Sequence, residues 1–196
     1  MKPIIRVAAS ADVAEMLAIY APYVRDTSIT FETEVPAHSL FENRLTDYLE
    51  KAPWLVAVAD GRIAGYAYAS MYRERVAYQW SVECSVYIGK GFQRRGIGRA
   101  LYAALFEILR RQGFRNVYAV INLPNEQSVA LHEAAGFTWF ATYEKVGYKL
   151  GHWKNVGWWR LVLNPFTQEP APPVFFRKLE KDFLPALFLE KAELIK

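Results

Sequence analysis

Apolar residues recur at helical spacing in several parts of the chain. One stripe follows Ser10, a residue that can cap a helix, and extends from Val13 to Val24; a second helical pattern covers about residues 37–52. A short helix is predicted from about Asn125 to Ala135. The strongest pattern ends at Gly113 and consists of Ile97, Ala100, Leu101, Ala104, Leu105, Ile108 and Leu109. Each pattern predicts a helix with one buried face.

Apolar runs and strict alternation predict the strands between these helices. Runs occur at residues 3–8, 54–60, 62–72, 115–122, 138–148 and 156–163, and Asp60-Gly61 favours a tight hairpin between two of them. The segment 76–88, VAYQWSVECSVYI, alternates throughout. It places Tyr78, Trp80, Val82, Cys84, Val86 and Ile88 on one face and Gln79, Ser81, Glu83, Ser85 and Tyr87 on the other. The order of elements predicts a mixed α/β fold.

The character of the chain changes after Asn164. A proline-rich connector, PFTQEPAPP, precedes a helical stripe of Phe176, Leu179, Phe183 and Leu187 that carries many charges. Pro185 should interrupt or kink any single helix there. We therefore expect one domain over residues 1–165 and an amphipathic extension over 166–196. The stripe requires a covering surface, either on its own domain or on a second subunit.

Composition narrows the class of protein. A chain of 196 residues that is 53% hydrophobic can bury a core, and its N-terminus shows no export or membrane signal, so we expect a cytoplasmic protein. Cys84 is the single cysteine, and with three scattered histidines it predicts neither a disulfide framework nor a metal site. The net charge of +4 is compatible with nucleic acid, an anionic cofactor or a basic surface. No recognised nucleic-acid motif accompanies the charge, and we expect no nucleic-acid partner.

The segment GKGFQRRGIGRALY, residues 89–102, places glycines and arginines between a predicted strand and the strongest helix. Unpaired amides at a helix N-terminus attract phosphate, and Gly96 and Gly98 remove side chains that would keep it away. Arg94, Arg95 and Arg99 add positive charge for a pyrophosphate. Neither a Walker loop nor a dinucleotide fingerprint fits the residues that follow. A glycine-containing loop with solvated arginines is the alternative.

Gln93-Arg94-Arg95-Gly96-Ile97-Gly98 resembles the Q/R-x-x-G-x-G/A signature of the GNAT acetyltransferases. Further segments resemble the phosphinothricin and methionine sulfoximine acetyltransferase branch: TSITFETEVP, VAYQWSVECSVYI, VINLPNEQSVALHEAAGF and GYKLGHWKNVGWW. The resemblance covers roughly residues 3–173. It implies the acyl-CoA N-acyltransferase fold, a mostly antiparallel central sheet that is splayed at the cofactor strand and flanked by helices.

The resemblance also implies transfer of an acetyl group from acetyl-CoA to an amine, with no metal. Glu83 matches the family's catalytic glutamate and is the candidate general base. The backbone of Val86, Tyr87 and Ile88 should hold the pantetheine arm together with Asn125. The pyrophosphate is assigned to the loop residues Gln93, Arg94, Arg95, Gly96, Ile97, Gly98 and Arg99. His132 occupies the place of a family tyrosine, either as an acid or as a structural residue beside the cofactor.

For the acceptor, Arg73 and Arg75 offer cationic forks that fit a carboxylate, and Phe31 and Tyr78 complete the predicted pocket. The expected substrate is a small amino acid or an analogue such as phosphinothricin, methionine sulfoximine or methionine sulfone. Leu150 and Asn155 depart from the branch's pattern. A protein N-terminus, a polyamine and a non-catalytic acyl-CoA-binding module remain the alternatives. A homodimer is expected.

Overall fold

Seven strands form one mixed sheet in the computed structural model of the chain, which describes residues 2–196. They are β1 (Ile4–Val7), β2 (Trp54–Ala59), β3 (Arg62–Met71), β4 (Ser81–Ile88), β5 (Asn116–Leu123), β6 (Thr138–Lys149) and β7 (His152–Val162). Their order is β1-β2-β3-β4-β5-β7-β6. Every neighbouring pair is antiparallel except β4 and β5, which are parallel. The expected mostly antiparallel sheet is confirmed.

Helices cover both faces of the sheet. On one face, α1 (Val13–Asp26) and α2 (His38–Lys51) pack over a core rich in aromatic residues, including Trp54 and Tyr66. On the other face, α3 (Ile97–Gln112), α4 (Glu126–Ala134) and α5 (Leu184–Ala192) pack over a largely aliphatic core. No helix within residues 2–196 is both long and apolar enough to span a bilayer.

The strand predicted over residues 76–88 is shorter in the structure. Residues Val76–Tyr78 form a 3-10 turn, closed by a hydrogen bond from the Tyr78 N–H to the Arg75 carbonyl (2.9 Å). Turn hydrogen bonds therefore replace ladder pairing before Ser81, despite the alternating pattern. From Ser81 onward the predicted faces are correct, because Val82 and Cys84 are buried in the aliphatic core while Tyr87 belongs to the aromatic one. The predicted hairpin at Asp60 and Gly61 also forms, with positive φ at both residues.

The C-terminal segment, residues 176–196, packs on the chain's own core. Phe176 and Leu187 are buried in the aliphatic core, and Leu179 and Phe183 pack against it. Pro185 lies in the first turn of α5, where it starts the helix instead of kinking it. The predicted stripe thus has its covering surface within the same chain, against β1 and α3. A domain boundary at residue 165 stays a prediction.

Candidate active site

The loop between β4 and α3 forms an anion-binding cradle from main-chain groups. Gly91, Arg94 and Gly96 all have positive φ, a conformation in which successive amides can converge on one point. The Gly91 N–H donates to the Gln93 side-chain oxygen (2.8 Å), which closes the loop on itself. The first hydrogen bond of α3 runs from the Ala100 N–H to the Gly96 carbonyl (2.9 Å). The preceding amides of the helix therefore need another acceptor.

A cavity of about 440 Å³ opens beside this cradle, between β4 and α4. Most of the residues predicted to bind the cofactor line it: Val86, Ile88, Gln93, Arg94, Gly96, Ile97, Gly98, Arg99 and Asn125. A Cβ at Gly98 would lie 3.3 Å from a methyl carbon of Leu131, so this glycine lets α4 approach the cradle closely. Main-chain donors and two arginines beside a cavity of this size fit a pyrophosphate with an attached arm.

The side chain of Arg95 is not among the groups lining the cavity. Its guanidinium forms an ion pair with Asp60 (2.9 Å), and its Nε donates to the Lys196 carbonyl (3.1 Å). The Tyr87 ring also points elsewhere, because it packs edge-on against Tyr20 and Tyr23 in the aromatic core. The Tyr87 main chain is directed toward β3: the register that joins Ser81 to Tyr72 and Gly89 to Ala64 by hydrogen bonds makes Tyr87 and Tyr66 a hydrogen-bonded pair. On the open side of β4 the available main-chain N–H groups belong to Val86 and Ile88.

The strands β4 and β5 separate after a short parallel contact. Their pairing runs from Ser81–Asn116 to Glu83–Tyr118, and a slot of about 60 Å³ lies beyond it. The slot is lined by Ile29, Cys84, Ser85, Val86, Tyr87, Tyr102, Val120, Ile121, Asn122, Asn125, Ser128 and His132. The expected splay at the cofactor strand is confirmed. It leaves the β4 main chain on this side available to an extended ligand.

His132 is fixed by hydrogen bonds on both ring nitrogens. Its Nδ1–H donates to the Ser128 carbonyl (2.7 Å), so Nε2 accepts from the Tyr102 hydroxyl (2.9 Å). Burial lowers the pKa of the imidazole, against a smaller opposing effect of the Ser128 carbonyl. A neutral imidazole with both nitrogens engaged orients Tyr102 at the slot wall.

Cys84 adds a third side chain to the buried hydrogen bonds of His132 and Tyr102. Its thiol donates to the Tyr102 oxygen (3.6 Å), and burial raises the pKa of the thiol to about 12. The thiol is therefore protonated at neutral pH, which disfavours a role for Cys84 as a nucleophile.

Glu83 is the last residue of β4 paired with β5, and it faces away from the aliphatic core. Its register partners are Ser70 on β3 and Tyr118 on β5. Burial raises the pKa of the Glu83 carboxyl, and the positive charge of Arg73 partly opposes this rise. A carboxylate of raised basicity thus lies where the strands begin to separate.

A second cavity, of about 970 Å³, lies at the loop between β3 and β4. Arg73, Arg75 and Tyr78 line it, as predicted for the acceptor. Lys51 from α2 and Phe175 from the C-terminal connector also line it. Phe31 does not: its ring packs against Gly147 in β6. The structure therefore brings three of the four predicted acceptor residues together.

Sequence reasoning missed Tyr102, Lys51 and Phe175. In the sequence Tyr102 reads as a core aromatic of α3. The structure shows that the residue is 1% exposed, and a buried tyrosine hydroxyl needs a polar partner, which the sequence did not identify. Lys51 ends a helix and Phe175 lies in a connector outside the resemblance, so only the fold could place them at a cavity. Among residues 2–196, no group of three or more His, Cys, Asp or Glu side chains is arranged to hold a metal ion.

Comparison with known proteins places the chain in a family. Residues 5–158 match the model of the Acetyltransferase (GNAT) domain. The chain is 41% identical to a phosphinothricin N-acetyltransferase of Streptomyces viridochromogenes over 86% of this chain and 90% of that protein. It is 32% identical to an L-methionine sulfoximine/L-methionine sulfone acetyltransferase of Salmonella typhimurium over 85% and 98% of the two chains.

A solved structure shows the same fold. The phosphinothricin acetyltransferase of Sinorhizobium meliloti, determined in complex with acetyl-CoA, superposes with a TM-score of 0.82. The two sequences are 31% identical, over 90% of this chain and 100% of the other. The chain therefore belongs to the GNAT acetyltransferase family. It is an acetyl-CoA-dependent N-acetyltransferase.

Proposed function

We propose that the enzyme acetylates the α-amino group of a small amino acid or an analogue of the phosphinothricin, methionine sulfoximine or methionine sulfone type. The position of Glu83 carries the proposal. This carboxylate lies where β4 and β5 part, next to Cys84 of the slot and within the electrostatic influence of Arg73 of the larger cavity. Glu83 is not itself among the residues that line the slot or the larger cavity, so the proposal requires the amine and the thioester to meet where the strands part.

The chemistry follows from this placement. An α-amino group is largely protonated at neutral pH, and Glu83 takes its proton directly or through a water. The free amine then attacks the thioester carbonyl carbon, a C–N bond forms, and the C–S bond breaks. As the thiolate leaves, the nitrogen gives up its second proton, and the thiolate takes up that proton directly or through a water. Main-chain N–H groups of Val86 and Ile88, which face the open side of β4, hold the arm and polarise the carbonyl. The α3 amides with Arg94 and Arg99 hold the pyrophosphate.

Asn125 and His132 have different parts in this proposal. The Asn125 side chain accepts from the Ser128 N–H (3.1 Å) as the cap of α4, and its amide nitrogen remains for the pantetheine arm. His132 acts through Tyr102 as a structural residue beside the cofactor, because both of its nitrogens are engaged.

Acceptor recognition is assigned to Arg73, Arg75 and Tyr78. Two guanidinium groups in one cavity suit a carboxylate or phosphinate, and an amino acid presents that group close to its amine. A polyamine would instead be repelled by these charges. The role of Phe31 as a pocket wall stays a prediction.

A thiol-release screen tests the function. Purified enzyme with acetyl-CoA is presented with amino acids, methionine sulfone, methionine sulfoximine and phosphinothricin, and in parallel with a polyamine and a peptide with a free N-terminus. We expect thiol release with one of the first group. Release only with the polyamine or peptide would make the acceptor class wrong, and acetyl-CoA binding without release in any reaction would indicate a binding module.

The β6–β7 hairpin supports a homodimer. It exposes Trp139, Phe140, Tyr143, Val146, Tyr148, Leu150 and Trp153, the last with 62% of its surface accessible. So much apolar surface on one hairpin favours a second copy of the chain as its cover. Light scattering after gel filtration should give twice the chain mass. Trp153→Glu should shift it toward the monomer, whereas Trp153→Phe should not.

The absence of a metal, of a nucleic-acid partner and of membrane binding also stays a prediction, as does the cytoplasmic location. Acetylation should survive prolonged dialysis against a chelator, since no metal is invoked in any step. Neither nucleic acid nor lipid vesicles should retain the protein at physiological ionic strength. Cell fractionation checks the location.

A further inference from the structure

The four residues that follow α5, Glu193 to Lys196, lie against the cofactor loop. The Lys196 N–H donates to the Arg95 carbonyl (2.8 Å), and Arg95 Nε donates to the Lys196 carbonyl (3.1 Å). This reciprocal pair joins the end of the C-terminal segment to the residue immediately before Gly96. None of residues 193–196 lines the cavity beside α3, so the contact is on the other side of the loop.

The Arg95 guanidinium has two further side-chain partners. Its guanidinium pairs with Asp60 in the β2–β3 turn (2.9 Å) and lies over the Phe92 ring, 5.4 Å from the ring centroid. One side chain thus connects the cofactor loop to a hairpin turn and to the C-terminal segment. Its hydrogen-bonding partners, Asp60 and Lys196, are not among the residues that line the cavity, whereas the Phe92 ring is.

The Arg95 carbonyl fixes the direction of a cradle amide. A trans peptide unit is planar, and its C=O and N–H point in opposite directions. The carbonyl of Arg95 points toward Lys196, so the N–H of Gly96 in the same peptide unit points away from it. Gly96 itself lines the cavity. The hydrogen bond from Lys196 therefore orients a donor toward the ligand side.

The α-carbon of Gly96 is also in contact with the segment. A Cβ built on Gly96 would overlap the carbonyl oxygen of Leu194. The positive φ of Gly96 gives one reason for glycine at this position, and the close approach of Leu194 gives a second. The loop and the segment are thus fitted to each other at main-chain distance.

The segment is itself firmly held. Leu187, Ala192 and Ile195 are buried in the aliphatic core with α3, and residues 194 and 195 donate to the carbonyls of Lys191 and Ala192. A segment anchored by buried apolar side chains is a rigid support for the loop.

We propose that residues 193–196 are a positioning element for the coenzyme, and that Arg95 is a positioning residue that joins them to the loop and does not itself bind phosphate. The element holds the peptide unit between Arg95 and Gly96 in the orientation that presents its N–H to the pyrophosphate. This inference rests on the proposed assignment of the cradle to that pyrophosphate. It adds a contribution from the part of the chain that lies outside the resemblance.

A matched pair of substitutions tests the hydrogen bond from Lys196. Lys196→Pro deletes the donated N–H, whereas Lys196→Ala keeps it, and the side chain is exposed in both cases. We expect the Kd for coenzyme A, by calorimetry, and the KM for acetyl-CoA to be about threefold to tenfold higher in the proline variant than in the alanine variant. The kcat at saturating acetyl-CoA should be the same in both. A merely structural lesion would instead lower the thermal midpoint and kcat together.

Asp60→Gly tests the role of Arg95 by the direction in which coenzyme A affinity changes. Glycine accepts the positive φ of this position and keeps the turn, but it removes the carboxylate that holds Arg95. If Arg95 were a phosphate ligand restrained by Asp60, its release would tighten coenzyme A binding. Because we assign it a positioning role, we expect binding to weaken by about threefold. Glu50→Ala, which removes the exposed partner of Arg177 on the same C-terminal segment, should leave the Kd unchanged.

Tighter binding in Asp60→Gly, or equal affinity in the two Lys196 variants, would overturn the proposal. Gly98→Arg separates this outcome from a wrong site. If Gly98→Arg blocks coenzyme binding while the two tests fail, only the positioning role is wrong. If Gly98→Arg also binds normally, the assignment of the cradle is wrong as well.

Discussion

The cavity beside α3 and the cavity at the β3–β4 loop take their lining residues from the chain in different ways. The first is lined largely by one contiguous stretch, within residues 92–99, together with residues of β4 and α4. The second brings Lys51 and Phe175 to Arg73 and Arg75 from distant parts of the chain. In the proposed function the contiguous loop binds the pyrophosphate that every acyl-CoA carries, whereas the side chains of the second cavity can vary with the acceptor. Cofactor binding and acceptor choice should therefore respond to separate substitutions.

The largest expected effect is a loss of coenzyme A binding at the cavity beside α3. Gly98→Arg places a long side chain between the cradle and Leu131, where even a Cβ has only 3.3 Å. We expect coenzyme A affinity to fall at least about 100-fold by calorimetric titration. Ala103→Arg adds the same charge to α3 outside the cavity and should bind normally. Normal binding by Gly98→Arg would contradict the site.

Glu83→Gln should separate chemistry from cofactor binding. The amide keeps the shape of the carboxylate but cannot accept the amine's proton, so we expect kcat to fall at least about tenfold with coenzyme A affinity nearly unchanged. Glu144→Gln, on the exposed part of β6, serves as the control. Unchanged turnover in Glu83→Gln would remove this residue from the base role.

Arg75→Ala should affect only the acceptor. Loss of a guanidinium fork is expected to raise the acceptor KM about fivefold, with acetyl-CoA KM unchanged. Arg75→Lys keeps the charge without the fork and should be intermediate. A change confined to the KM for acetyl-CoA would mean that Arg75 acts on cofactor binding and that the two cavities do not have separate functions.

The smallest expected effect is a shift in pH dependence. In the proposed mechanism Glu83 works in its deprotonated form. Because burial raises the pKa of its carboxyl, activity should then be lost on acidification at a higher pH than for an ordinary glutamate. Arg73 opposes this rise, so Arg73→Ala should move the acid limb of kcat/KM to still higher pH. Arg73→Lys should leave the limb near its original place. If the acid limb of kcat/KM does not move in Arg73→Ala, a group other than Glu83 controls that limb.

The same contrast explains which predictions the sequence could support. The cradle is contiguous, so its glycines, arginines and following helix were visible as one pattern. The alternation that placed Glu83 and Cys84 on opposite faces was correct for the same local reason. It failed at residues 76–80, where turn hydrogen bonds replaced the ladder. Arg95 has the residue type of a phosphate ligand, but its direction depends on Asp60 and Lys196.

The sequence by itself determined the helices, most of the strands, the anion-binding turn and the family, since periodicity, glycine conformation and motif spacing act over a few residues. The tertiary structure decided where β4 and β5 part, which side chains share the cavity at the β3–β4 loop, and that the C-terminal segment contacts the loop before α3. Those features join residues that are tens of positions apart, such as Asp60, Arg95 and Lys196. No local pattern encodes such a contact, because it exists only when the whole core has packed.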